Sequence, residues 1–136
     1  MKKLILLLVT VITFSSCLPD DNGPKFRLEL LPIESVELPQ EFVLGQTYTI
    51  TVKYLRPTNC HFYDGIYYEK DLNVRTFAVR NAVSTNNTCL PLDNVLIEQT
   101  FDFYVTSNGS YIFKFWQGVN EEGDNIFLEY EIPVTD

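Results

Sequence analysis

From residue 33 onward apolar and polar positions alternate with a period of two, and no stretch sustains a 3.6-residue period over three turns. Tyr48, Ile50, Val52 and Tyr54 are separated by Thr47, Thr49, Thr51 and Lys53, the pattern of a strand with one side buried. Phe101, Phe103 and Val105 alternate with Thr100, Asp102 and Tyr104, and Tyr111, Phe113 and Phe115 alternate with Ile112, Lys114 and Trp116. The last run sets Ile126, Leu128, Tyr130, Ile132 and Val134 against Phe127, Glu129, Glu131 and Pro133, which makes the C-terminal segment part of the core. Less regular runs at 33–38, 60–69 and 73–83 bring the count to about seven strands. Turn formers separate them at 44–46, 56–59, 85–87, 107–109 and 121–125. Residues 93–105 come closest to a helix, but Val95, Ile97 and Thr100 favour extended chain.

About seven short strands in roughly 105 residues predict an all-β fold, a single immunoglobulin-like antiparallel β-sandwich. The run Gly109-Ser110-Tyr111-Ile112-Phe113 resembles the entry to the sixth strand of such folds, which implies that Tyr111 forms a corner there. The cysteines depart from the antibody pattern, because Trp116 follows Tyr111 instead of lying between them. With no internal repeat, the chain reads as one domain over 33–136.

The N-terminus has a different character. Lys2 and Lys3 precede an uncharged run at 4–14, and Ser15, Ser16 and Cys17 close it, the layout of a cleavable signal. The run is about half of the roughly 20 residues that a membrane-spanning helix needs. Phe14-Ser15-Ser16-Cys17 resembles a bacterial lipobox, with Phe14 where Leu or Val is commoner. That resemblance implies removal of residues 1–16 and lipid attachment at Cys17. It also makes 17–32 a tether, in which PDDNGP at 19–24 is rich in turn formers and charge. Leu18 stands where an inner-membrane retention signal would be Asp, and Asp20 and Asp21 resemble the acidic export signal of surface lipoproteins in Bacteroidota-type bacteria. The chain as a whole resembles small lipoproteins of those bacteria, which implies an outer-membrane location, outward-facing if the acidic signal operates.

Charge sharpens the picture. The chain carries 10 basic and 18 acidic residues, and loss of a leader that contains two lysines moves the net charge from −8 to −10. Such a surface does not suit nucleic acid, whose phosphates call for clustered Lys and Arg. The expected contacts are a membrane, through the Cys17 lipid, and a protein or glycan partner.

With Cys17 lipidated, Cys60 and Cys89 are the remaining pair, and an exported domain favours a disulfide between them. The rival is a metal site, which needs further ligands where His61 is the sole histidine. No cofactor, metal or catalytic residue is expected: there is no GxSxG, HExxH or glycine-rich phosphate loop, and one histidine does not make a triad. The acidic loop at 120–125 lacks EF-hand spacing and reads as a solvated hairpin, and the sequons at Asn86 and Asn108 read as turns.

One stretch offers binding chemistry. In a regular strand over 61–68, Phe62, Ile66 and Tyr68 point one way, and His61, Tyr63 and Tyr67 the other. With one side in the core, Tyr63 and Tyr67 fall beside Trp116 on the Lys114 face, and Phe127 extends the patch. Exposed aromatics beside polar groups stack on sugars or anchor proteins, whereas buried ones are cross-strand packing. The leading expectation is a non-catalytic binding or structural module of the cell envelope. The alternative is a glycan-binding accessory lipoprotein that uses Tyr63, Tyr67 and Trp116.

Overall fold

The computed structural model describes residues 23, 25–85 and 87–136, so the leader, Cys17 and Asn86 lie outside the described residues. The described chain is all-β. Its strands are β1 (Phe26–Leu31), β2 (Ser35–Glu37), β3 (Phe42–Val43), β4 (Thr47–Leu55), β5 (His61–Asp71), β6 (Val74–Ser84), β7 (Leu96–Tyr104), β8 (Tyr111–Val119), β9 (Asn125–Ile132) and β10 (Val134–Thr135). Seven strands have six or more residues, the expected number but not the expected set: the run at 33–38 holds only the three-residue β2, and β1 makes up the count.

Two sheets face each other. One contains β1, β5, β6, β8 and β9, and the other has the order β2-β4-β7. β6 is the hub of the larger sheet. β5 runs along one of its edges, whereas the opposite edge is divided: Val74–Phe77 pair in parallel with Ile112–Phe115 of β8, and Val79–Ser84 pair antiparallel with β1. A second, two-residue parallel ladder joins β10 to β3. Pro133, which has no N–H to donate, separates β10 from β9.

The sandwich begins earlier than residue 33. β1 occupies 26–31, a segment expected to be tether. Its alternation is genuine but inverted: Phe26, Leu28 and Leu30 face outward with Ala82 and Arg80, and only Leu31 reaches the core beside Val79. Beyond β1 the Ile33 amide donates to the Trp116 carbonyl (2.8 Å) and the Glu34 amide to that of Lys53 (2.8 Å), so the chain crosses from one sheet to the other.

The core between the sheets is largely aromatic. Phe77 of β6 lies 4.9 Å from Phe101 of β7, and Phe103 of β7 lies 4.9 Å from Phe113 of β8, edge to face. Phe42 closes the stack at one end against Tyr48, Phe103 and Phe113. Tyr111 is buried at the start of β8, where its hydroxyl accepts the Ser107 (2.9 Å) and Thr106 (3.2 Å) amides. This is the corner its sequence context implies. Burial pushes that hydroxyl up, but bonding to Thr106 and Ser107 and the Arg75 charge outweigh it, and its pKa falls below the ordinary tyrosine value.

Cys60 and Cys89 form a disulfide, with Cα atoms 5.4 Å apart. It ties the β4–β5 connection to the long β6–β7 loop. The same junction carries the Thr58–Pro91 bridge and a bond from the Leu90 amide to Asn59 Oδ1 (2.9 Å).

The chain enters β1 beside Ser84, the last residue of β6, and leaves β9 at Ile132 beside Tyr111, level with the first residues of β6. Entry and exit are therefore at opposite ends of the sandwich.

At the exit end the β5–β6 hairpin turns on Leu72 and Asn73, and Leu72 holds φ +52° with 86% of its surface exposed. A Cβ in the left-handed region costs about 1–2 kcal/mol, and an exposed side chain recovers little of that. Leu72→Gly is expected to raise stability by about 1 kcal/mol, read as a higher urea midpoint with an unchanged slope.

Candidate functional site

The outer face of the larger sheet is open, and its contour follows from residue sizes along β6. There the outward positions include Thr76, Ala78 and Ala82, which are small. Large side chains stand on the strands beside it: Leu30 on β1, Tyr67 on β5 and Trp116 on β8. The result is a trough, which deepens into a cleft of about 230 Å³ floored by Thr76 and Ala78 and flanked by Leu30, Tyr67, Trp116 and Phe127. Ala78 is 1% exposed although it points away from the core, because its neighbours rise over it.

The polar groups around the cleft fix its rings. Trp116 Nε1 donates to Asn125 Oδ1 (2.9 Å), and the Tyr67 hydroxyl donates to Glu69 Oε2 (3.1 Å). That hydrogen bond, followed by the Glu69 charge, raises the Tyr67 pKa. Behind the cleft Lys114 Nζ sits 4.4 Å above the Phe127 ring and pairs with Glu129 at 3.3 Å, which occupies one face of Phe127 with a cation of the protein's own.

Of the three expected binding residues, the fold brings two together. Tyr67 and Trp116 share the cleft; Tyr63 does not. The register slips between Tyr63 and Gly65, where Asp64 forms a β-bulge. An inserted residue shifts the phase of side chains by one position. His61 and Tyr63 therefore sit on the core side with Val83 and Asn81, and beyond the bulge Ile66 and Tyr68 take that side while Tyr67 turns outward. The bulge is held by Arg80 Nε to Asp64 Oδ2 (2.7 Å) and by Gly65 at φ +143°, a conformation that favours glycine. Tyr63 instead borders a separate cleft of about 280 Å³ with Tyr54, Arg56 and His61, and burial raises its pKa.

His61 has partners that the chain's local spacing did not reveal. Its Nδ1 lies 2.8 Å from Thr58 Oγ1, and its Nε2 lies 3.6 Å from Glu29 Oε2, contributed by β1. The order is hydroxyl, imidazole, carboxylate. The Thr58 oxygen also accepts the Cys60 amide (3.1 Å), and Glu29 is engaged by Arg27 at 2.5 Å, so the cluster braces the disulfide junction. Nearby, Asn81 is fully buried with neither amide atom in a well-formed hydrogen bond, and its side chain interacts with the Tyr54 hydroxyl. No motif signals either group, since Glu29 and His61 are 32 positions apart and Tyr54 and Asn81 are 27 apart.

The acidic loop is a self-contained turn. Asn120 Oδ1 accepts the Glu122 (3.0 Å) and Asp124 (2.9 Å) amides, with Gly123 at φ +87°. Among the described residues no group of three or more His, Cys, Asp or Glu is placed to hold a metal ion. Comparison with known proteins finds no matching family, curated protein or solved structure.

Proposed function

We propose that this protein is a non-catalytic binding module of the cell envelope, held on the outer membrane by lipid on Cys17. The observation that carries the binding role is the Tyr67–Trp116 cleft, whose rings are pinned at their polar edges and kept out of the core. Stacking residues left at the surface and held in one orientation lose little entropy when a partner arrives. The attachment rests on the charged start, the apolar run and the small residues before Cys17. It agrees with a chain that enters β1 at one end of the sandwich, because a tether there leaves the outer sheet face unobstructed. Several acyl chains, at about 0.8 kcal/mol per buried CH₂, hold such a protein firmly.

Fractionation tests the anchor. Cys17→Ala is expected to move the protein from the membrane pellet to the soluble fraction; a variant that stays in the pellet after a high-salt wash refutes the lipid assignment.

A further inference from the structure

We infer that the Tyr67–Trp116 cleft takes one ring of a neutral glycan, a reading that rests on the binding role above and names its ligand class. Three observations converge on it. The first is size: about 230 Å³ falls below the roughly 300–1,000 Å³ of pockets for drug-sized ligands and suits a single ring laid in a trough open at its ends.

The second is the mixture of surfaces. The apolar C–H face of a pyranose packs on aromatic rings while its hydroxyls, arranged around the rim, need hydrogen-bonding partners. Trp116 and Tyr67 supply the former. For the latter, Glu69 Oε1 and Asn125 Nδ2 make no hydrogen bond to the described residues, although Glu69 Oε2 and Asn125 Oδ1 are engaged in fixing the rings. Each of these side chains thus has one atom occupied by positioning and one left to read a hydroxyl. Thr76 on the floor adds a third polar group.

The third is charge. Glu69 at the cleft and the acidic surface as a whole disfavour sulfated, phosphorylated or uronate-rich polymers. Of the cleft's rings, Phe127 already carries a cation of the protein's own, Lys114, on one face. A neutral sugar fits a cleft that repels anions and leaves Trp116 and Tyr67 to stack.

Trp116 is the chain's one tryptophan, so its fluorescence reports on this cleft alone. The full chain in detergent micelles would be titrated with neutral oligosaccharides (gluco-, manno- and galacto-configured hexamers) and with oligogalacturonate. The expected result is a saturable shift with at least one neutral series, at a Kd in the micromolar to millimolar range, and none with the uronate. Tyr67→Ala and Glu69→Ala, both on an exposed strand, should each weaken binding about tenfold or more, with calorimetry as a readout independent of Trp116. Tyr63→Ala should leave it unchanged.

Binding of the uronate alone, or neutral binding that survives Glu69→Ala and Tyr67→Ala, overturns the inference. So does the absence of any glycan binding by a folded protein. In that last case, crosslinking of a photoreactive group placed at position 67 to an envelope protein in intact cells would leave the binding role standing with a different ligand class. The absence of any crosslink would remove both.

Discussion

Phe77→Ala is expected to cost about 3–5 kcal/mol and to leave a substantial fraction of the protein unfolded near physiological temperature. Phe77 is 1% exposed, and its ring centre lies within 5.4 Å of the rings of Tyr68, Phe101, Phe113 and Phe115, so it touches both sheets. Truncation would remove one of the side chains that join the larger sheet to β7, and the close-packed rings around it can collapse only partly into the gap. Urea denaturation followed by circular dichroism measures the loss. Tyr67→Ala provides the contrast: on the outer face its cost should stay near 0.5 kcal/mol. Equal losses at the two positions would contradict the placement of Phe77 in the core and Tyr67 outside it.

The second large effect concerns the disulfide. Cys60 and Cys89 are 29 positions apart, and cross-linking a loop of that length restricts the unfolded chain by about 3.6 kcal/mol in the chain-entropy treatment. Replacing both cysteines by serine should lower the melting temperature by about 15 °C, given the unfolding entropy of a domain this size. The β4–β5 and β6–β7 connections should also become the first sites of proteolysis, since only hydrogen bonds, among them the Thr58–Pro91 bridge and the Leu90–Asn59 pair, are left to tie them. A reductant added to the native protein should reproduce both effects. A melting temperature unchanged by the double substitution would mean that hydrogen bonds already hold the junction.

The fold was largely legible in the chain, and for a physical reason. A sheet that buries one face must alternate, and the alternation at 47–54, 100–105, 111–116 and 126–132 coincides with β4, β7, β8 and β9. Tyr111 was readable because the turn before β8 sets its position within a few residues. The departures have equally local causes. β1 lies in the segment that the lipobox resemblance makes a tether, although Phe26, Leu28 and Leu30 alternate with Arg27 and Glu29 as a strand does; what the alternation does not tell is that the apolar side faces outward. Regular alternation puts Tyr63 on the outer side with Tyr67, and the bulge at Asp64 that reverses this carries no mark in the sequence beyond the glycine that follows it. The parallel contact of β6 with β8 joins strands distant in sequence, and periodicity does not encode which strands become neighbours. Of the candidate site, the aromatic members Tyr67, Trp116 and Phe127 could be found from the pattern. Their polar partners Glu69 and Asn125 could not, because which carboxylate or amide meets which ring is decided by register.

The placement of entry and exit at opposite ends also gives the domain a mechanical direction. A pull applied through the N-terminal segment acts along the axis of β1, whose ladder to β6 lies across that axis. Its register pairs from Phe26 to Leu31 would then share the load in shear, instead of failing one after another as a peeled hairpin does. At about 3.3 Å per residue, the 11 residues of β6 make a strut roughly 36 Å long. A domain held at the N-terminal end would carry its hairpin tip and the end of β9 at that distance from the start of β1, with the Tyr67–Trp116 trough turned sideways along the shaft.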